Sequence, residues 1–216
     1  MVDFQSRDTR RHDDDEEDES QSSQSNDEET PTDEAGHDDS SHDHDHGHDD
    51  HDHHSHDVES LGAAVVTVSS SRSLSDDPSG DAIVAGLEDA GHKVVSRDLI
   101  GDDYDGVQGS VNALVGRDDV DVVVTTGGTG VTPDDVTIEA VGQLFDKELP
   151  GFGELFRLLS HEEIGTKVVG TRATAGVVDG VVVFCLPGSE NAARLGVERI
   201  IVEEAGHLAG LAGREE

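Results

Sequence analysis

Residues 60–216 predict an α/β domain: a three-layer, open, mostly parallel sheet with helices on both faces, preceded by a disordered tail at residues 1–59. Three observations carry this reading. Short apolar runs rich in β-branched residues alternate with segments whose apolar residues recur at helical spacing. The links between successive strands are long enough, at about a dozen residues, for right-handed helical crossovers. The first 59 residues hold 23 Asp and Glu against 3 Arg, with hardly a large apolar side chain beyond Phe4. Such a segment buries too little apolar surface to offset the entropy of ordering its backbone.

Gly62 to Ser69 (GAAVVTVS) reads as a strand covered on both faces. After a Ser-rich loop, Ser79 to Ala90 places Ile83, Val84 and Leu87 on one helical face, with Gly91 as its cap. His92 to Ile100 reads as the second strand, Tyr104 to Val115 as a helix through Val107, Val111, Leu114 and Val115, and Val120 to Thr126 as the third strand. This βαβαβ order implies parallel pairing. Helices are expected at about Val136 to Phe145 and Gly151 to Ser160. Strands are expected at Lys167 to Thr171 and Val181 to Leu186, and a last helix over Ser189 to Leu211.

Charge excludes several functions. The domain keeps 27 acidic residues against 11 basic ones, only three of them Lys, for a net charge of about −16. Nucleic acid and anionic membrane surfaces are repelled by that sign, so neither is an expected partner. Abundant acid with scarce Lys is the composition of a halophile, where screening over about 3 Å in molar salt removes the self-repulsion. Cys185, the one cysteine, sits in an apolar run and reads as a small core residue. No apolar run nears the roughly 20 residues that cross a bilayer and the N-terminus lacks a signal sequence, which makes the cytoplasm the expected location.

The best-placed candidate site is the turn after the third strand, because ligands of open α/β sheets bind beyond the carboxyl ends of the strands. There Thr126, Gly127, Gly128, Thr129 and Gly130 bring three glycines into four residues, so backbone N–H groups can approach an oxyanion. A tight turn explains the same glycines. Asp135, with Thr137 and Glu139 at the start of the next helix, adds oxygen ligands suited to Mg²⁺. Asp134 and Asp135 after Pro133 equally suit a helix N-terminus.

Six segments in fixed order go further: Asp77-Pro78-Ser79-Gly80, Thr125 to Gly130, Asp135 to Ala140 (DVTIEA), Pro150 to Phe156 (PGFGELF), Thr171 to Gly176 (TRATAG) and Leu186 to Ser189 (LPGS). Over Ser60 to Gly213 the chain resembles the MoaB and MogA family of molybdenum-cofactor proteins, and Phe145 to Gly165 resembles the MoaB branch. The resemblance implies transfer of AMP from Mg-ATP to molybdopterin, with Mg²⁺ as cofactor and ATP and molybdopterin as substrates. Its alternative is a non-catalytic molybdopterin-binding or scaffold protein of the same pathway. It maps the two catalytic, Mg-linked acids onto Asp102 and Asp135, with Asp103 as a neighbour able to share the first role. Substrate-binding positions map onto residues 126–130, Thr137, Glu139, Pro150, Gly151, Arg172, Pro187, Gly188 and Ser189. It further implies a homo-oligomer, trimer or hexamer, and other enzymes of molybdenum-cofactor synthesis as partners. Two departures stand out: Asp134 where the family often has Arg, and Glu190 after the Pro-Gly-Ser turn.

Local chemistry leaves plainer readings for several of these. Arg172 reads as a ligand-facing cation or an ion pair, Ser189 as a binding hydroxyl or a helix N-cap, and Pro150-Gly151 as a substrate loop or a helix break. In the tail, His42 to His56 packs eight histidines among aspartates, and His42, His44, His46 and His48 are weak transition-metal ligands by chemistry. His161 and His207 read as helix surface or packing residues.

Overall fold

A computed structural model describes residues 57–214. The disordered tail and the metal-binding histidines expected between His42 and His48 lie outside the described residues. Residues 57–59 are described, and the first two attach to the domain: the Val58 N–H donates to Gly206 O, and Asp57 pairs with His207.

Six strands form one sheet: β1 (Gly62–Val68), β2 (Lys93–Ile100), β3 (Val122–Thr126), β4 (Lys147–Glu148), β5 (Thr174–Val178) and β6 (Val181–Leu186). Their spatial order is β2-β1-β3-β6-β5-β4. The four strands from β2 to β6 pair in parallel, while β5 and β4 add an antiparallel edge. The helices are α1 (Pro78–Asp89), α2 (Tyr104–Val115), α3 (Thr137–Gly142), α4 (Pro150–Ile164), α5 (Glu190–Gly196) and α6 (Val202–Ala212), with a π turn over Val197–Ile201 joining the last two.

The period of two along each strand separates two cores. Ala63, Val65, Val122 and Val124 face Ile83 and Leu87 of α1, Phe156 of α4 and Ile201. Ala64, Val66 and Val123 face Val107 and Val111 of α2 and Val141 of α3. These are the three layers that the sequence predicts. Cys185 is fully buried in the second core, and burial pushes its thiol up to about 12, so it stays an inert packing group.

Two expectations are corrected, and the strand they missed is found. Lys167 to Thr171 is not a strand: Gly165–Gly170 forms a 3₁₀ turn, and Val169 is 84 % exposed. The missing strand is β5, joined to β6 by Asp179-Gly180, both at positive φ (47° and 82°). An Asp-Gly pair between two apolar runs is a strong hairpin signal, and it outweighs the valines of the preceding turn. The helix expected to reach Phe145 stops at Gly142, since residues 147–148 leave it to pair with β5. That edge strand is only Lys147-Glu148, short and charged, which discourages further strand pairing.

Candidate functional site

A cleft of about 370 Å³ opens at the carboxyl ends of β1, β3 and β6, between Val68, the 127–130 loop and the Pro187-Gly188 turn. It lies where the strand order reverses direction, since β1 leads to β2 on one side and the chain crosses back to β3 on the other. Glycine is required there. Gly127 has φ 104°, and an ideal Cβ on it would stand 2.2 Å from the Val68 carbonyl oxygen. Gly128 has φ 64°, and its Cβ would stand 2.3 Å from Thr137 Oγ1. Side chains of L-residues rarely adopt that backbone region.

The loop is laced from behind. The Gly127 N–H donates to Leu186 O, Thr126 Oγ1 to Pro187 O (2.9 Å), and Thr137 Oγ1 to Gly127 O (2.9 Å). Thr126 and Thr137 are therefore buried scaffolding, and their hydroxyls face loop carbonyls. Gly128 and Thr129 line the cleft, and among the described residues their N–H groups have no protein acceptor. A fixed loop with spare backbone donors is a cradle for an anion.

Asp135 also lines the cleft. Its Oδ2 accepts from the Thr132 hydroxyl (2.6 Å) and the Thr132 N–H (2.7 Å). Those bonds, the Gly130 N–H and the nearby Arg172 charge hold its carboxyl below the usual aspartate range despite partial burial, so it is anionic at neutral pH. Asp102 stands one layer back. Its Oδ2 accepts from the Ser70 N–H (2.6 Å) and its own N–H donates to Ser70 Oγ (3.1 Å), while Ser69 and Ser71 form the cleft wall. Asp103 is the N-cap of α2, accepting from the Gly106 N–H at 2.8 Å, so it has a structural task of its own.

Arg172 is a clamp. Nε donates to Gly130 O (2.7 Å), Nη2 to Asp135 O (3.0 Å), and the guanidinium pairs with both Glu139 oxygens. The Arg172 hydrogen bond, ahead of other causes, holds the Glu139 carboxyl low. This pair fixes the far side of the loop and borders a neighbouring recess with Tyr104, Val131 and Pro133. Asp134 is exposed and borders neither hollow.

Other expected residues fall outside the cleft. Pro150 opens α4, and with Gly151 it lines an apolar hollow beside Phe152, Phe184 and Leu208. The burial of Phe152 and Phe156 draws this end of α4 onto the sheet face, which favours the helix-break reading. Ser189 caps α5 by accepting from the Ala192 N–H (3.3 Å), whereas Pro187 and Gly188 do face the cleft.

Sequence reasoning missed Arg72, which lines the cleft from the Ser-rich loop. Its Nη1 reaches Asp77 and Ser79, and its Nη2 donates to Gly188 O at 2.9 Å. The available signal was the lone cation of that loop, five residues before the first acid of a motif. Asp77, whose side chain is fully buried, gathers Thr67 Oγ1 (2.6 Å), Ser79, the Gly80 N–H and Arg97 as well.

The fold and cleft define an open α/β domain with a glycine-built loop lining a cleft at its switch point. The chain belongs to the molybdenum-cofactor biosynthesis family: residues 64–207 match the family described as "Probable molybdopterin binding domain". It is 47% identical over 145 residues to molybdenum cofactor biosynthesis protein B of Bacillus cereus, covering 67% of this chain and 86% of that protein. A crystal structure of a molybdenum cofactor biosynthesis protein B superposes with TM-score 0.70 at 44% identity, covering 72% of this chain and 98% of the other. The tungsten cofactor synthesizing protein MoaB of Pyrococcus furiosus does so with TM-score 0.62 at 39% identity, covering 72% and 99%. Among the described residues, no helix is long and apolar enough to cross a membrane.

Proposed function

We propose that this chain transfers AMP from Mg-ATP to the terminal phosphate of molybdopterin. The observation that carries the proposal is the cleft itself: a glycine loop with spare N–H donors, closed on one side by the anionic Asp135. The molybdopterin phosphate oxygen attacks the α-phosphorus of ATP, the bond to the β-phosphate oxygen breaks, and pyrophosphate leaves. The nucleophile is already an anion, so no strong base is needed, and positioning with charge stabilisation supplies the catalysis.

Magnesium fits as a passenger of the nucleotide. Among the described residues no three His, Cys, Asp or Glu side chains gather as a metal site. Mg²⁺ held by phosphates needs only one or two protein carboxylates, and Asp135 is the carboxylate that faces the cleft. When bound, it would neutralise phosphate charge. The protein's own contribution is to hold the phosphates on the 127–130 loop and keep Asp135 ionised. Asp102 acts by fixing Ser70, hence the wall opposite.

The test is adenylylated molybdopterin formation by purified protein in molar salt, with Mg-ATP and molybdopterin. Asp135→Asn should lower kcat/KM about a hundredfold, the scale of losing one preorganised electrostatic contact. Asp102→Asn, acting through Ser70, should lose less. Folded wild-type protein that forms no product overturns the proposal. Molybdopterin binding without ATP turnover selects the non-catalytic reading instead, which the position of Asp102 behind the cleft wall favours.

Self-association completes the proposal. Leu155 and Leu158, one turn apart on α4, are 41 % and 65 % exposed, an apolar face of the sort covered in oligomers. Light scattering in molar salt should give three or six times the 22.8 kDa chain mass; a monomer would refute it.

A further inference from the structure

We propose that Arg72 is the cation that contacts ligand phosphate in this cleft, and that the same side chain latches the Ser-rich loop to the Pro187-Gly188 turn. The inference deepens the adenylyl-transfer reading, because it names the protein charge that reading needs. Arg72 is the only Lys or Arg among the residues lining the cleft. The other arginine nearby, Arg172, is consumed by Glu139 and by two loop carbonyls. In a domain with a net charge of about −16, a polyphosphate entering beside Asp135 meets repulsion unless a cation stands on the wall.

The geometry equips Arg72 for that task. A guanidinium has five N–H donors. Three of them are used: two from Nη1 to Asp77 and Ser79, and one from Nη2 to Gly188 O. Among the described residues, Nε–H and the second Nη2 proton have no acceptor. Asp77 and Ser79 fix the planar head in place, so little rotamer freedom remains to be lost when an anion arrives. Only part of the side chain, 31 %, is exposed, which keeps its charge from being fully screened by solvent. The bond to Gly188 O ties the group, and with it the Ser-rich loop, to the turn that packs against Gly127, so the cation stands beside the glycine loop.

The experiment is calorimetric titration of the full chain with Mg-ATP, inorganic pyrophosphate and adenosine, comparing wild type with Arg72→Gln, Arg72→Lys and the remote control Arg117→Gln. Arg117 pairs with Asp119 at the opposite end of the sheet. Arg72→Gln should weaken Mg-ATP and pyrophosphate tenfold to about a hundredfold, the scale of a charge-assisted hydrogen bond, and leave adenosine within about twofold. Arg72→Lys should recover part of the loss, because it restores charge without the two-pronged geometry. Equal weakening of adenosine and Mg-ATP would mean a latch with no phosphate contact, and unchanged phosphate affinity in Arg72→Gln overturns the proposal outright. Thermal melts of each variant separate misfolding from lost binding, and Arg72→Lys carries the test if Arg72→Gln melts. Pyrophosphate binding that depends on Arg72, without any Mg-ATP binding, would sink adenylyl transfer and leave this assignment standing. Wild type binding none of the phosphates sinks both.

Discussion

Asp77→Ala is expected to lower the free energy of unfolding by about 3–5 kcal/mol, the usual cost of removing one partner from a buried charge network. The side chain of Asp77 is fully buried and its two arginine partners are only 26 % and 31 % exposed, so solvent screens these contacts little. Its loss strands Thr67 Oγ1 in the core and removes the cap of α1 from the Gly80 N–H. Asp77→Asn keeps the shape and part of the cap, and should cost roughly half as much. The pH dependence follows from the direction of the shift. Burial raises the Asp77 carboxyl, but hydrogen bonds from Thr67, the Gly80 N–H, Arg97 and Ser79 outweigh it and leave the folded value below the ordinary 3.8. A depressed folded value means stability that is fully present above about pH 3.8 and is lost as pH falls through the folded value. The stability gap between wild type and Asp77→Asn should therefore be flat from pH 8 to about 5 and shrink below about 3.8. Denaturant midpoints in molar salt across that range measure it, and a gap that grows on acidification would contradict the assignment.

Much of the fold is legible in the sequence because it rests on local periodicity. The runs at 62–69 and 122–126 are apolar on both faces, and the structure covers both faces. What escaped was non-local or punctuation-dependent. The valines at 168 and 169 look like a strand, yet the chain there turns, and the neighbouring Asp179-Gly180 hairpin claims the real partner for β6. The two residues of β4 exist only because β5 is there to pair with them.

The site was legible as a place more than as a set of contacts. Position after the third strand pointed to the 127–130 loop, and the structure opens a cleft there that Asp135, Pro187 and Gly188 also line. Hydroxyl and charge roles were harder to read, because each is decided by which acceptor lies nearest across the sheet edge. Thr126, Thr137 and Arg172 all carry ligand-type groups, and all three are turned to loop carbonyls. Arg72 sits in a Ser-rich stretch without periodicity, and its contact with Gly188 spans 116 residues of sequence. No local pattern encodes such a pair.

Gly127→Ala should damage stability and binding together, and it isolates the cleft's dependence on backbone geometry. The residue has φ 104°, which costs an alanine about 1–3 kcal/mol by itself. The added methyl would also meet the Val68 carbonyl oxygen at 2.2 Å, and that oxygen ends β1, a central strand paired on both sides. Backbone so held cannot yield, so the 127–130 loop must move outward, breaking the Gly127 N–H bond to Leu186 O and tilting the Gly128 and Thr129 donors. A loss of about 3 kcal/mol in stability and more than about a hundredfold in Mg-ATP affinity is expected. Gly109→Ala provides the opposing case. Gly109 lies inside α2 with open space around its Cβ position, so alanine there should stabilise by up to about 1 kcal/mol and leave binding unchanged. Thermal melts and Mg-ATP titrations on the two variants give the result. If Gly127→Ala binds Mg-ATP as tightly as Gly109→Ala does, the loop is not where the phosphates rest.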